Sequence, residues 1–534
     1  MILRFFGAAQ SVTGSCHCIE ASGSTVLIDF GMLQGKDEKN GVMMPVDARD
    51  VDAVLLTHAH IDHSGRIPLL VKNGFTGRVI CTRATAELCS IMLPDSGHIQ
   101  EMETEWLNRK RSRAGKPPVE PLYTAEDARG SLKYFKAVDY GEIIDVCPSI
   151  KARFVDAGHM LGSASVEVWA EADGTSEKIV FSGDLGNTGK PIIKDPSYIE
   201  KADYVVVEST YGDRLHGGNG DSTKELAEIV ERTFLRGGNV VIPSFAVGRT
   251  QELLYCMREI INNNLAPLAG NIPVFIDSPL AIRATEIFEK YVHDYYDEEA
   301  MEIIERGEKP LSFPSLNIIE TADESRAMNF MDFPKVIISS SGMCEAGRIK
   351  HHLKHNLWRP ESTVAFAGYQ AMGTLGRSIL DGAKKVKIFG EEIEVKAEIS
   401  KLEGFSGHAD RNGIIKWIKA FEGGIKRVFM VHGEQTALEE LAKEVEKLGI
   451  KTSIPSMNSW FDTVSMQLNE IEQVMDETAL QEVQYDFMKN AIERLGAIIR
   501  DGESTAAGMP PEQATEIREL AKRLRKIHKK YSER

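Results

Sequence analysis

Short apolar runs rich in β-branched residues recur along the chain, and each ends on a residue able to do chemistry. TVLIDFG ends near Asp29, DAVLLTHAH on His58 and His60, IKARFVDAGH on His159, KIVFSGDLG near Asp184, DYVVVEST near Glu208 and KRVFMVHGE near His432. Runs of this length and composition predict buried strands. Residues at their ends gather along one edge of the sheets, where loops on a rigid scaffold carry function. The expected class is a layered α/β protein.

Between Glu208 and about residue 380 the pattern changes to alternating strands and helices. STKELAEIVERTFLRG predicts a helix with Ser222 or Thr223 as N-cap and Gly237 near the C-cap. NVVIPS and PVFIDS predict strands flanking the helix RTQELLYCMREIINN, and PKVIISSSG and STVAFAGY predict further strands. Such alternation implies a second α/β domain with parallel pairing. His408 and His432 follow it in sequence, so if they join His58 in one site, the second domain is an insertion in the first. The expected divisions are 1–210, an inserted 211–380, a return over 381–462, and a helical extension over 463–534.

Composition narrows the setting. The 534 residues are 42% hydrophobic with a net charge of −16, ordinary for a soluble globular protein. A negative total argues against a general nucleic-acid binder, but a few arginines and bound cations reverse the field locally. No apolar run reaches the ~18 residues of a membrane helix, and MILRFFGAAQSVTGS reads as a first strand entering a loop, not a leader. Seven scattered cysteines with no CxxC pair make neither a disulfide framework nor a structural zinc site. A reducing cytoplasm is the expected compartment. NRKRSRAGKPP, residues 108–118, reads as a basic solvated loop.

THAHIDHSG places His58, His60, Asp62 and His63 within six positions. Imidazole and carboxylate ligands suit zinc, whose catalytic sites keep a position open for water. The ligands lie too close in sequence for one tetrahedral shell, so two ions are the natural reading. His58 and His60 would face one, Asp62 and His63 its neighbour. The set then needs a third imidazole, a bridging carboxylate and a closing histidine, and His159, Asp184 and His432 supply these types. Alone, His159 and His432 would be structural histidines and Asp184 a turn residue; their joint occurrence in this order favours ligands. His98 and the His351, His352 and His355 cluster keep the plain reading of surface or packing residues.

With these motifs in order, the sequence resembles the metallo-β-lactamase superfamily: Asp29, His58-Ala-His60-Ile-Asp62-His63, His159 and Asp184 match its first four motifs. It is more specifically similar to the β-CASP nucleases, whose extra motifs match Glu208 in VVVESTYGDR, His408 in GFSGHAD and His432 in VHGE. FAVGRTQE looks like the RNA-processing members related to the cleavage-and-polyadenylation endonuclease subunit. The resemblance covers residues 1 to about 460. It implies an αββα sandwich interrupted by a β-CASP domain, with two zinc ions (manganese an alternative) in the cleft. It implies His58, His60 and His159 on the first ion, Asp62, His63 and His432 on the second, Asp184 bridging, and Asp29 supporting the ligands through hydrogen bonds.

The implied chemistry is hydrolysis of a phosphodiester to 5′-phosphate and 3′-hydroxyl ends. A histidine held protonated by a carboxylate suits the leaving oxygen, and His408 with Glu208 fits; Asp62 is a second candidate for contacting the nucleophile, less free to move protons because it is also a ligand. A histidine at the His408 motif accompanies RNA-acting relatives, so single-stranded RNA is the expected substrate and endonucleolytic cleavage the expected mode. A 5′-3′ exoribonuclease, a small-molecule metallo-hydrolase and a non-catalytic RNA scaffold stand as alternatives. No membrane partner is expected, and self-association is left open. Gly-Arg pairs at Arg249, Arg348 and Arg377, with an anion nest at SSSGM around Ser341, are candidate RNA contacts; ion pairing is the equal alternative for each arginine.

Overall fold

The computed structural model describes residues 1–34, 44–172, 174–216 and 222–469. Residues 1–470 form one compact unit, built on three sheets and a small hairpin. The extension expected over 463–534 lies outside the described residues from 470 onward. Its first residues do not begin a helix: Gln467–Asn469 pairs with Ser459–Asp462 at the edge of the first sheet.

That first sheet has eight strands. Ile2–Gly7, Cys16–Ala21, Ser24–Ile28, Ala53–Leu55, Arg78–Thr82 and Phe135–Val138 continue inward from the hairpin in that order. The second has seven, running from Thr452–Ser453 through Arg427–Val431, Tyr204–Glu208, Thr175–Phe181, Ala164–Ala172 and Ile150–Asp156 to Ile143–Cys147. Successive side chains of a strand face opposite ways, and the cores follow. In Tyr204–Glu208, Tyr204 and Val206 join Phe5, Phe154 and Phe181 between the two sheets, whereas Val205 and Val207 pack on Trp417, Leu438 and Leu441 of the outer helices Arg411–Lys419 and Gln435–Glu446. A strand buried on both faces needs the continuous apolar run YVVV, its valines contributing about 1.5–3 kcal/mol each. These layers are the αββα sandwich expected from the sequence.

The third sheet, ordered Leu316–Ile318, Val274–Ile276, Val336–Ser339, Val240–Pro243, Thr363–Phe366 and Glu398–Lys401, is parallel at every pairing. It is the inserted domain. Val240, Ile242, Val274 and Ile338 of one face share a core with the helical layer outside the first sheet, so the insertion is joined to the sandwich by apolar packing. Glu398–Lys401 pairs with Thr363–Phe366, which moves the return to the sandwich beyond Lys401, later than the expected 380. The sequence signal was weak because EISK lacks an apolar run. Helices cover Ser222–Leu235 and Arg249–Asn262 as expected; since the first begins at Ser222, its cap position falls on an undescribed residue.

The basic stretch 108–118 also differs from expectation. The helix Arg83–Arg113 runs through half of it. Asn108 explains the difference: its side chain exchanges two hydrogen bonds of 2.8 Å with the backbone of Val119, and Arg111 donates to the Pro117 carbonyl at 2.7 Å, so the returning chain holds the last turn. Cys16, Cys18, Cys81, Cys89, Cys147 and Cys344 are free thiols. Among the described residues no helix is long and apolar enough to cross a membrane.

Candidate metal centre

The strand ends converge as the apolar runs imply. His58 and His60 follow Ala53–Leu55, His159 follows Ile150–Asp156, and Asp184 follows Thr175–Phe181. His60 Nδ1 lies 3.1 Å from His58 Nε2 and 3.3 Å from His159 Nε2. Asp184 Oδ2 is 3.4 Å from His58 Nε2 and 3.6 Å from His159 Nε2. Close approach of the loops depends on glycine: a Cβ at Gly186 would sit 1.7 Å from the Gly158 carbonyl oxygen, so the chain after Asp184 could not lie against the chain before His159.

A second set faces the other oxygen of Asp184. His63 Nε2 is 3.3 Å from Asp184 Oδ1 and 3.3 Å from His432 Nε2, and His432 Nε2 is 3.6 Å from Asp62 Oδ2. Asp62 and His63 belong to the short helix Ile61–Ser64, which puts both beside the loop that carries His60. Asp29 and His432 hold positive φ, +61° and +50°, a sparsely populated conformation for non-glycine residues that the surroundings must enforce. His432 N–H donates to the Ala8 carbonyl at 2.7 Å, and Asp29 N–H to that of Leu55 at 3.0 Å.

Four of the five rings, those of His58, His63, His159 and His432, have an orienting partner on the outer nitrogen. His63 Nδ1 is 2.7 Å from Asp29 Oδ2, His159 Nδ1 is 3.1 Å from the Gly407 carbonyl, and His432 Nδ1 is 3.1 Å from Thr210 Oγ1. Thr57 Oγ1 lies 3.1 Å from His58 Nδ1 and donates to Asp29 at 2.9 Å. Such bonds fix the ring nitrogen that points inward. Sequence reasoning found Asp29 but missed Thr57, Thr210 and Gly407. Thr57 and Thr210 stand within one or two positions of motif residues, the only signal that could have found them.

The donor set fits cations. Asp184 Oδ1 is buried and accepts no hydrogen bond, a costly condition unless a positive species meets it. Burial, with neighbouring imidazoles, drives His58 and His159 well below the usual imidazole range, which keeps them in the neutral form that binds metal. At His63 burial pulls the same way, but Asp184 and Asp29 outweigh it and raise its proton affinity. That point calls for positive charge, which a divalent cation supplies with the imidazole neutral. His58, His60, His159 and Asp184 form one set able to hold a metal ion, and Asp62, His63 and His432 another.

Glu208 and His408 meet beside them. His408 Nδ1 is 3.0 Å from Glu208 Oε1 and 3.9 Å from Asp184 Oδ2, which leaves Nε2 as the nitrogen free of this pair. Burial lowers the proton affinity of His408, but Glu208 and Asp184 outweigh it and raise it. Glu208 is fixed in turn by N–H groups of Leu185 at 2.8 Å and Thr210 at 3.2 Å. The side chains of Asp62 and His408 are 23% and 20% exposed, against 0% for His58 and 2% for Asp184, so the pocket opens to solvent on the side of Asp62 and His408.

Models of known families match the same segments. That of the metallo-β-lactamase superfamily covers residues 12–244, that of the Beta-Casp domain 250–379, and that of the Zn-dependent metallo-hydrolase RNA specificity domain 392–455. A ribonuclease of Thermus thermophilus is 39% identical over 450 residues, which are 84% of this chain and 97% of that one. The transcription termination factor FttA of Methanocaldococcus jannaschii is 32% identical over 85% of this chain and 70% of its own length, and an RNase J-like protein of the same organism is 32% identical over 85% and 98%. The chain belongs to the β-CASP family of the metallo-β-lactamase superfamily. It is a metal-dependent hydrolase.

In this β-CASP chain the candidate RNA contacts are spread over the inserted domain. Arg249 opens the helix Arg249–Asn262 and lies close to Gly407, the neighbour of His408: a Cβ at Gly407 would be 3.6 Å from its NH2. Arg348 is committed within the domain, donating to Asp277 Oδ1 at 2.6 Å and to the carbonyls of Ile319 and Glu320. Arg377 pairs with Asp381 one helical turn on, at 2.8 Å. The Ser341 N–H donates to the Ala346 carbonyl at 3.2 Å, so it is turned to its own loop and away from the role expected in an anion nest. For Arg348 and Arg377 the ion-pair alternative describes the contacts, though both pairs lie within the inserted domain. His352 is buried, 2.6 Å from Asp277 and 3.0 Å from Asn329, a packing role.

Proposed function

We propose that this protein is a zinc-dependent ribonuclease that hydrolyses phosphodiester bonds of single-stranded RNA, leaving 5′-phosphate and 3′-hydroxyl ends, with endonucleolytic cleavage as its mode. The observation that carries the reading is the His408–Glu208 pair on the open side of a carboxylate shared by two imidazole sets. The names of the relatives, and an RNA-specificity model spanning His408 and His432, support RNA as substrate. The free thiols of Cys16, Cys18, Cys81, Cys89, Cys147 and Cys344 suit a reducing cytoplasm.

Two zinc ions would activate water at neutral pH and neutralise charge on the phosphate. His58, His60 and His159 would hold one, Asp62, His63 and His432 the other, with Asp184 serving both. Asp29, Thr210 and the Gly407 carbonyl keep the rings turned inward. Asp62, at the open side, faces the attacking water. His408, its proton retained by Glu208, protonates the departing ribose oxygen. The inserted domain gives the polymer a second wall, which a small substrate would not need.

Single-stranded RNA labelled at the 5′ end in one sample and internally in another tests the mode. Internal products from both, abolished by a chelator, are expected. Mononucleotides released from the 5′ end alone would favour the exonuclease alternative, and cleavage that persists under full chelation contradicts the metal-dependent reading.

A further inference from the structure

Three charged residues outside the ligand sets are buried where the sandwich meets the inserted domain. Lys190 follows the Asp184 loop, and Arg249 and Glu252 open the helix Arg249–Asn262. Lys190 Nζ donates to Glu252 Oε1 at 3.0 Å, and Arg249 NH1 donates to Glu252 Oε2. One carboxylate therefore serves two cations, and all three side chains are at most 10% exposed. Among the described residues neither cation has a second carboxylate partner. One buried positive charge remains unmatched, a condition that costs several kcal/mol unless something answers it. Arg249 Nε is also buried and without a hydrogen-bond partner among the described residues.

The surplus charge lies beside the metal centre. A Cβ at Gly407 would be 3.1 Å from His159 Cε1 and 3.6 Å from Arg249 NH2, so this glycine keeps open the gap between the ligand ring and the guanidinium. Gly248, at φ +79°, brings the chain before Arg249 against Met160, the neighbour of His159. The ring of Phe405 sits 5.8 Å from the guanidinium carbon. The guanidinium is thus held in place while its inner edge faces the ligand loop.

The geometry points to a phosphate subsite: Arg249, backed by Lys190, holds the phosphate next to the scissile one in the RNA strand, and Glu252 keeps the two cations together until the strand arrives. A phosphodiester carries one negative charge, which matches the surplus, and the planar fork of arginine suits its oxygens. Lys190 comes from one domain and Arg249 from the other, so the bound strand ties the two walls of the cleft. The subsite rests on the ribonuclease reading, and the test separates the two.

An oligoribonucleotide is compared with bis(p-nitrophenyl) phosphate, which has no neighbouring phosphate. In Arg249→Gln the KM for the oligomer rises about ten-fold, and kcat/KM falls several-fold more for the oligomer than for the small diester. The slope of log affinity against log salt for the oligomer, measured on chelated protein, becomes shallower by about one. Lys190→Gln gives a smaller change of the same kind and carries the test if Arg249→Gln does not fold. Equal losses on both substrates, or an unchanged oligomer KM and salt slope, overturn the subsite. Wild-type protein that hydrolyses the diester but leaves the oligomer intact overturns the ribonuclease reading instead.

Discussion

Two edges of this molecule are lined with buried polar side chains, and they are wired in opposite ways. Where the first two sheets end, like meets like: imidazole nitrogens approach one another at 3.1–3.3 Å, and Asp184 Oδ1 accepts no hydrogen bond. Where the third sheet ends, opposites meet: Asp277 takes Arg348 on one oxygen and His352 and Ser325 on the other. Acceptors that converge call for a cation, whereas donors matched to acceptors are scaffold. The pairing of the charged groups separates the two edges.

Substitutions at the two edges should part accordingly. The largest effect is expected at Asp184→Asn, which removes the carboxylate common to both sets; turnover should fall about 10³-fold or more in a single-turnover assay. His408→Ala should cost about 10²–10⁴-fold in turnover with metal content unchanged by elemental analysis. Loss of metal in that variant would make His408 a ligand. Glu208→Gln extends this point. The carboxylate raises the proton affinity of His408, so its removal lets the proton leave at lower pH. The alkaline limb of the pH–rate profile should move down, and a fixed limb would remove His408 from proton transfer. Asp29→Asn, one bond further out, should weaken metal affinity about 10–100-fold in a competition titration. Arg348→Ala should cost about 2 kcal/mol of stability by denaturant unfolding, with RNA affinity and salt slope unchanged. A weakened, less salt-dependent RNA affinity there would make the third edge part of the binding surface and dissolve the contrast.

The sandwich was legible because apolar runs such as YVVVE and RVFMV sit in central strands and end directly on Glu208 and His432. The convergence of these side chains was legible for the same reason: a strand end is a fixed place. Glu398–Lys401 was not, because an edge strand with one paired side needs no apolar run. Nor was the use of Arg348, since Gly-Arg reads alike whether the arginine meets phosphate or the side chain of Asp277. Lys190 carried no motif; its meaning comes from Glu252, a residue of the other domain that no local pattern connects to it.

The central claim is that Asp184 stands between two distinct cation positions, one closed by His159 and the other by His432. Metal content per chain of wild type and His432→Ala, measured by mass spectrometry after exhaustive dialysis, tests it most directly. Two equivalents in the wild type and one in the variant, where His58, His60 and His159 remain, are predicted; a single equivalent in the wild type, or two retained in the variant, would contradict it.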